Sequence, residues 1–112
     1  MAANEAESSR IAQALVEDKL AACVNIVGPV HSIYRWRGAI EKATEYMLVI
    51  KAPMRHFSRL ERRVREIHSY EVPEIVAVPL VAGSRSYVEW LAASTIPRRR
   101  SIPATRRPRI PT

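Results

Sequence analysis

Between His68 and Leu80 the chain passes without a break from a crowded polar loop, His-Ser-Tyr-Glu-Val-Pro-Glu, into an apolar run, Ile-Val-Ala-Val-Pro-Leu. No other stretch limits the fold as tightly. Pro73 fixes its own φ and pushes Val72 toward extended geometry, so the preceding helix cannot continue and the loop must enter the run as a strand. The four apolar residues from Ile75 to Val78 lack polar alternation, which predicts a strand over 75–80 buried on both faces by helices or by another subunit. The mouth of that strand gathers His68, Tyr70, Glu71 and Glu74. Imidazole, phenol and carboxylates so close together make it the best candidate ligand site in the chain. Capping of the helix and hydrogen bonding across an interface would use the same groups.

The elements on either side follow from periodicity and punctuation. Asn4 can cap a helix over Asn4 to Leu20, with Glu5 and Glu7 in its first turn and Ile11, Ala12, Leu15, Val16 and Leu20 at helical spacing. Cys23 to Trp36 is extended, bent or bulged at Gly28-Pro29. Arg37-Gly38-Ala39 makes a turn, and Thr44 to Lys51 returns as a central strand whose apolar run is Tyr46 to Ile50. Pro53 ends it. Phe57, Leu60, Val64 and Ile67 then mark a helix over 56–67 whose charged faces are solvated, and Ala82-Gly83-Ser84 leads into a short helix around Tyr87 to Leu91.

With 112 residues, 47% of them apolar, the chain suits one small domain, placed at 1–94. No segment is long and apolar enough to span a bilayer, and the first residues lack the basic and apolar regions of a signal peptide, so a cytoplasmic location is expected. Cys23, the single cysteine, has no partner for an internal disulfide. It suits a small buried hydrophobe better than a reactive thiol, because no base is evident beside it. The net charge is +7, but Arg98, Arg99, Arg100, Arg106, Arg107 and Arg109 lie beyond residue 95, leaving about +1 for the body. Residues 95–112, Pro- and Arg-rich, are expected to form a disordered tail, and a scaffold or nucleic-acid and acidic-partner role through that tail is the alternative functional class. Gly28, Gly38 and Gly83 are too far apart for a phosphate loop or dinucleotide fingerprint. His31 and His56 are isolated and suit structural or surface roles.

Four motifs carry a resemblance: Lys-Leu-Ala-Ala-Cys-Val-Asn-Ile at 19–26, Ser-Ile-Tyr-Arg-Trp-Arg-Gly at 32–38, His-Ser-Tyr-Glu-Val-Pro-Glu-Ile at 68–75 and Tyr-Val-Glu-Trp-Leu at 87–91. In this order they resemble the CutA family of divalent-cation tolerance proteins. The resemblance implies an α+β, ferredoxin-like (PII-like) subunit, a tight homotrimer, no catalysis, and association with copper or another divalent ion or a small ligand. In some members of the family a copper site is proposed from a cysteine on the first strand and adjacent histidines. Only His68 matches here, because Ile67 precedes it, so a metal site would draw on His68, Glu74 and a neighbouring subunit. Trp36 and Lys51, placed at matching ends of the two strands, belong by resemblance to an inter-subunit cleft with Tyr70 and Glu71. Interface packing is the alternative for that pair, with Lys51 bridging to an acid such as Glu74. A ferredoxin-like subunit opens with a strand set between those expected at 44–51 and 75–80. The chain starts almost at its first helix, so an N-terminal truncation and an open slot in the sheet are expected.

Overall fold

The computed structural model describes residues 1–96. Helix α1 spans Glu5–Glu17, and Asn4 caps it with extended backbone, its Oδ1 accepting from the Glu7 amide at 2.8 Å. The helix stops short of the expected Leu20 because Lys19 turns left-handed at φ 57. The Leu20 and Ala21 amides then fold back to donate to the Leu15 carbonyl at 3.0 and 3.2 Å, which buries both side chains.

Strand β1 (Cys23–Trp36) pairs antiparallel with β2 (Ala39–Lys51). The register shifts between Val27 and Val30, so the expected irregularity at Gly28-Pro29 is a bulge. A Cβ on Gly28 would fall inside the ring of Tyr46, so the aromatic ring can lie flat on the strand only where the side chain is a hydrogen. Strand β2 begins five residues earlier than the apolar run predicts. Arg37 and Gly38 both take positive φ, 50 and 81, a two-residue turn whose twist matches the strands and lets Trp36 pair directly with Ala39.

A single 3-10 turn (Met54–His56) leads into α2 (Phe57–Ile67), and α3 (Arg85–Ser94) follows after a long extended segment. The core lies between α1, α2 and one face of the hairpin: Ile11, Leu15, Leu20, Leu60 and Val64 are buried, with Val24, Leu48, Ile50 and Ile75 packed against them. His56 is buried beside the Leu20 carbonyl, and His31 lies exposed on β1. Thr95, expected in the tail, is instead buried at the end of α3, where its hydroxyl donates to the Leu91 carbonyl at 2.9 Å. The basic residues of the expected tail lie outside the described residues.

Two expectations about the sheet need correction. Residues 75–80 are extended but form no strand, because no neighbouring backbone among the described residues takes up their hydrogen bonds. Val76, Val78 and Leu80 are accordingly 74%, 85% and 67% exposed rather than buried. The apolar run of β2 is likewise covered on one face only, with Leu48 and Ile50 on the core and Met47 and Val49 open. The other edge of β2 carries one isolated pair, Ala2 with Tyr46. The subunit is an α+β sandwich of ferredoxin-like (PII-like) type in which the leading strand is represented by Ala2 alone.

Candidate ligand site

His68 ends α2, its amide donating to the Val64 carbonyl at 2.8 Å, and its ring turns inward. Nε2 lies 2.6 Å from the Met1 carbonyl, and Nδ1 receives the Tyr70 amide at 3.0 Å. The tautomer protonated at Nε2 satisfies both contacts, since one nitrogen must donate and the other accept. Glu7 Oε1 stands 3.2 Å from Nδ1 and would hold a second proton there. Glu7 itself is buried and accepts from the Ser69 hydroxyl at 2.7 Å and the Ser69 amide at 3.3 Å. Burial pushes its carboxyl up, but the two Ser69 hydrogen bonds and the positive charges near His68 and Arg10 outweigh burial and hold it below the usual carboxylate range.

Tyr70 also turns in, its ring centroid 4.7 Å from that of His68. Burial first, then the adjacent Glu45 carboxylate, push its phenol up to about 12. Glu45 is buried as well. The loop is therefore tied down by a line of polar groups, Glu7, Ser69, His68, Tyr70 and Glu45, that joins α1, the end of α2 and β2. Neither acid is conspicuous in the sequence. Glu7 sits three residues after Asn4, where an acid ordinarily serves the helix cap. Glu45 is the one with a signal, a charge set against an otherwise apolar strand.

The remaining candidates point elsewhere. Glu71 is exposed and pairs with Arg37 at 2.9 Å, and the Arg37 guanidinium lies 5.3 Å from the Trp36 ring centroid, so these three form a cluster at the hairpin turn. Lys51 is not near them. It pairs with Cys23 at the open end of the hairpin, whereas Trp36 pairs with Ala39 at the turn, which corrects the expectation of matching ends. Thirteen steps along β1 separate those ends, about 40 Å at the rise of an extended strand. No ion pair of Lys51 with Glu74 forms among the described residues. Cys23 is half-buried near Tyr87, whose phenol is pushed up by burial and by the thiol beside it.

His68 and Glu74 do border one cavity of about 380 Å³, a groove between β2 and residues 74–78 floored by Leu60 and Val64. A resident metal does not fit it within one subunit. Both nitrogens of His68 are engaged, and no three metal-ligating side chains gather among the described residues. Nor is any helix among them long and apolar enough to cross a membrane.

Residues 1–94 match the family described as CutA1 divalent ion tolerance protein. The chain belongs to the CutA1 family. The divalent-cation tolerance protein CutA of Thermus thermophilus is 47% identical over 92 residues, covering 82% of this chain and 89% of that protein. The chloroplastic protein CutA of Arabidopsis thaliana is 40% identical over 92 residues, and there the match spans 50% of the relative's length. Among solved structures, the Thermus thermophilus divalent cation tolerance protein superposes with a TM-score of 0.82 at 46% identity, covering 84% of this chain and 91% of that one. The periplasmic divalent cation tolerance protein CutA of Archaeoglobus fulgidus gives 0.83 at 38% identity, covering 85% and 92%. This CutA1 family takes its name from tolerance of divalent ions and not from a reaction.

Proposed function

We propose that the chain acts as a homotrimeric, non-catalytic divalent-cation tolerance protein of the cytoplasm, binding a divalent ion such as copper, or a small ligand, in clefts between subunits. The observation that carries this reading is the hairpin. It helps to extend the subunit to 52 Å along its longest axis, and beyond the helices it exposes Ile33 and Ile40 at 69% and 64%. Apolar surface on a projecting element is what an interface covers. A ring closed by a threefold axis would set the turn end of one hairpin, with Trp36, Arg37 and Glu71, against a different part of its neighbour. In that arrangement Lys51 and Trp36, far apart in one chain, meet across a cleft.

An ion in such a cleft would draw first on the exposed carboxylates of Glu71 and Glu74, since oxygen donors of this kind suit hard divalent ions and imidazole suits copper. His68 joins only by leaving the Met1 carbonyl or the Tyr70 amide. The non-catalytic reading is supported by the same geometry: the histidine is committed to loop contacts, and the groups found nearest Cys23 and Tyr87 are each other, an acid beside an acid. Sedimentation equilibrium together with calorimetric titration of Cu²⁺ and Zn²⁺ tests the proposal, using wild type and Glu74→Ala. A trimer whose ion binding weakens in the variant is the expected result. A monomer at micromolar concentration would remove the clefts and with them the reading.

A further inference from the structure

The groove beside β2 is an unfinished sheet. Ala2 exchanges both backbone hydrogen bonds with Tyr46, its amide donating to the Tyr46 carbonyl at 2.7 Å and its carbonyl accepting from the Tyr46 amide at 2.8 Å. Residues two apart on a strand aim their backbone groups the same way, so Leu48 and Ile50 direct their amides and carbonyls into the groove as Tyr46 does. No partner takes them up among the described residues. Lys51 shows the opposite parity, its carbonyl accepting from Ala22 on the β1 side. Facing β2 across the groove, residues 74–78 run extended with their own backbone unpaired, and between the two walls the floor is apolar: Phe57, Leu60 and Val64.

We propose that this groove is a strand-acceptor site that takes an extended apolar peptide segment of about five residues in trans, antiparallel to β2 and opposite Met47 to Lys51. The occupant's chemistry follows from the walls. Unsatisfied amides and carbonyls at Leu48 and Ile50 call for a peptide backbone, which alone presents donors and acceptors in that alternation. An apolar floor calls for aliphatic side chains at every second position of the incoming strand. The Ala2–Tyr46 pair sets the direction: the added segment runs toward Met1 and continues the pairing already begun there. Binding at this groove is independent of the metal or small-ligand clefts proposed above.

The probe is a capped, lysine-flanked peptide with a Val-Val-Leu-Val centre, added to the full chain. Its control is the same peptide N-methylated at the two residues that would face Leu48 and Ile50. The peptide should raise the melting temperature in a dose-dependent way and slow hydrogen exchange at the Leu48 and Ile50 amides by at least about tenfold, leaving Val49, already paired to Asn25, unchanged. The methylated control should do neither. Equal effects from the two peptides would mean simple apolar sequestration and would overturn the proposal. So would protection of Leu48 and Ile50 that needs no peptide and rises with protein concentration, because a second copy would then fill the groove. Fusing the segment ahead of Met1 should abolish peptide binding, and a fused chain that still binds the peptide would place the site elsewhere.

Discussion

Replacing Glu7 by glutamine keeps the shape of the side chain while removing its charge, and it isolates what that carboxylate does for the loop. In the native subunit Glu7 accepts from the Ser69 hydroxyl and amide and faces His68, all in a buried setting. Hydrogen bonds to an ionised acceptor contribute roughly 1.5–3 kcal/mol each, against about 1 kcal/mol for neutral pairs. The amide oxygen of glutamine can still accept from Ser69, so E7Q should lose about 1–2 kcal/mol at neutral pH and not the several kcal/mol of a truncation. For a body of this size that corresponds to a drop of several degrees in Tm.

The pH dependence gives the sharper test. Because the folded-state carboxyl is held below its ordinary value, its stabilisation is fully present above the unfolded value and is lost as pH falls through the folded one. The gap between wild type and E7Q should therefore be widest at pH 7 and close on acidification. Urea unfolding followed by far-ultraviolet circular dichroism, at one fixed protomer concentration from pH 7 down to pH 3, measures it. A gap that is absent at pH 7, or that widens toward acid, would show that the Glu7 charge does not hold the loop.

Other expectations follow from the same contacts. Absorbance titration should show one tyrosine ionising near 12, missing in Tyr70→Phe, and between the ordinary phenol value and that point the fold should lose stability as pH rises, because burial favours the protonated phenol. Gly28→Ala forces a methyl into the Tyr46 ring and should cost roughly 1–3 kcal/mol in chemical denaturation, with Tyr46→Ala restoring part of it in a double-mutant cycle. Arg37→Ala breaks an ion pair whose two side chains are about 70% exposed, so an unfolding change beyond roughly 1 kcal/mol would mean that Arg37 has a partner beyond Glu71. If the hairpin is an interface, Ile33→Asp should shift sedimentation toward monomer while leaving the far-ultraviolet spectrum intact.

The hairpin and the helices are written locally and were legible in the chain itself. Asn4 with Glu7 marks the start of α1, Arg37-Gly38 can only reverse the chain sharply, and the apolar spacing of Phe57, Leu60, Val64 and Ile67 suits a single helical face. Gly28-Pro29 announced an irregularity in β1, although nothing nearby in sequence indicated that the ring of Tyr46 would lie upon Gly28. Where the outcome depended on a partner distant in the chain, local pattern was not enough. Ile75 to Val78 has the composition of a buried strand, but a strand exists only when another backbone lies beside it, and the described residues supply none. His68 has the chemistry of a ligand, yet tertiary packing brought the Met1 carbonyl, Glu7 and the Tyr70 amide to it and left its lone pairs committed. Residue type determines which hydrogen bonds and contacts a side chain is capable of making; only the folded chain, by closing distances of up to 67 residues along the sequence, decides which of them are made.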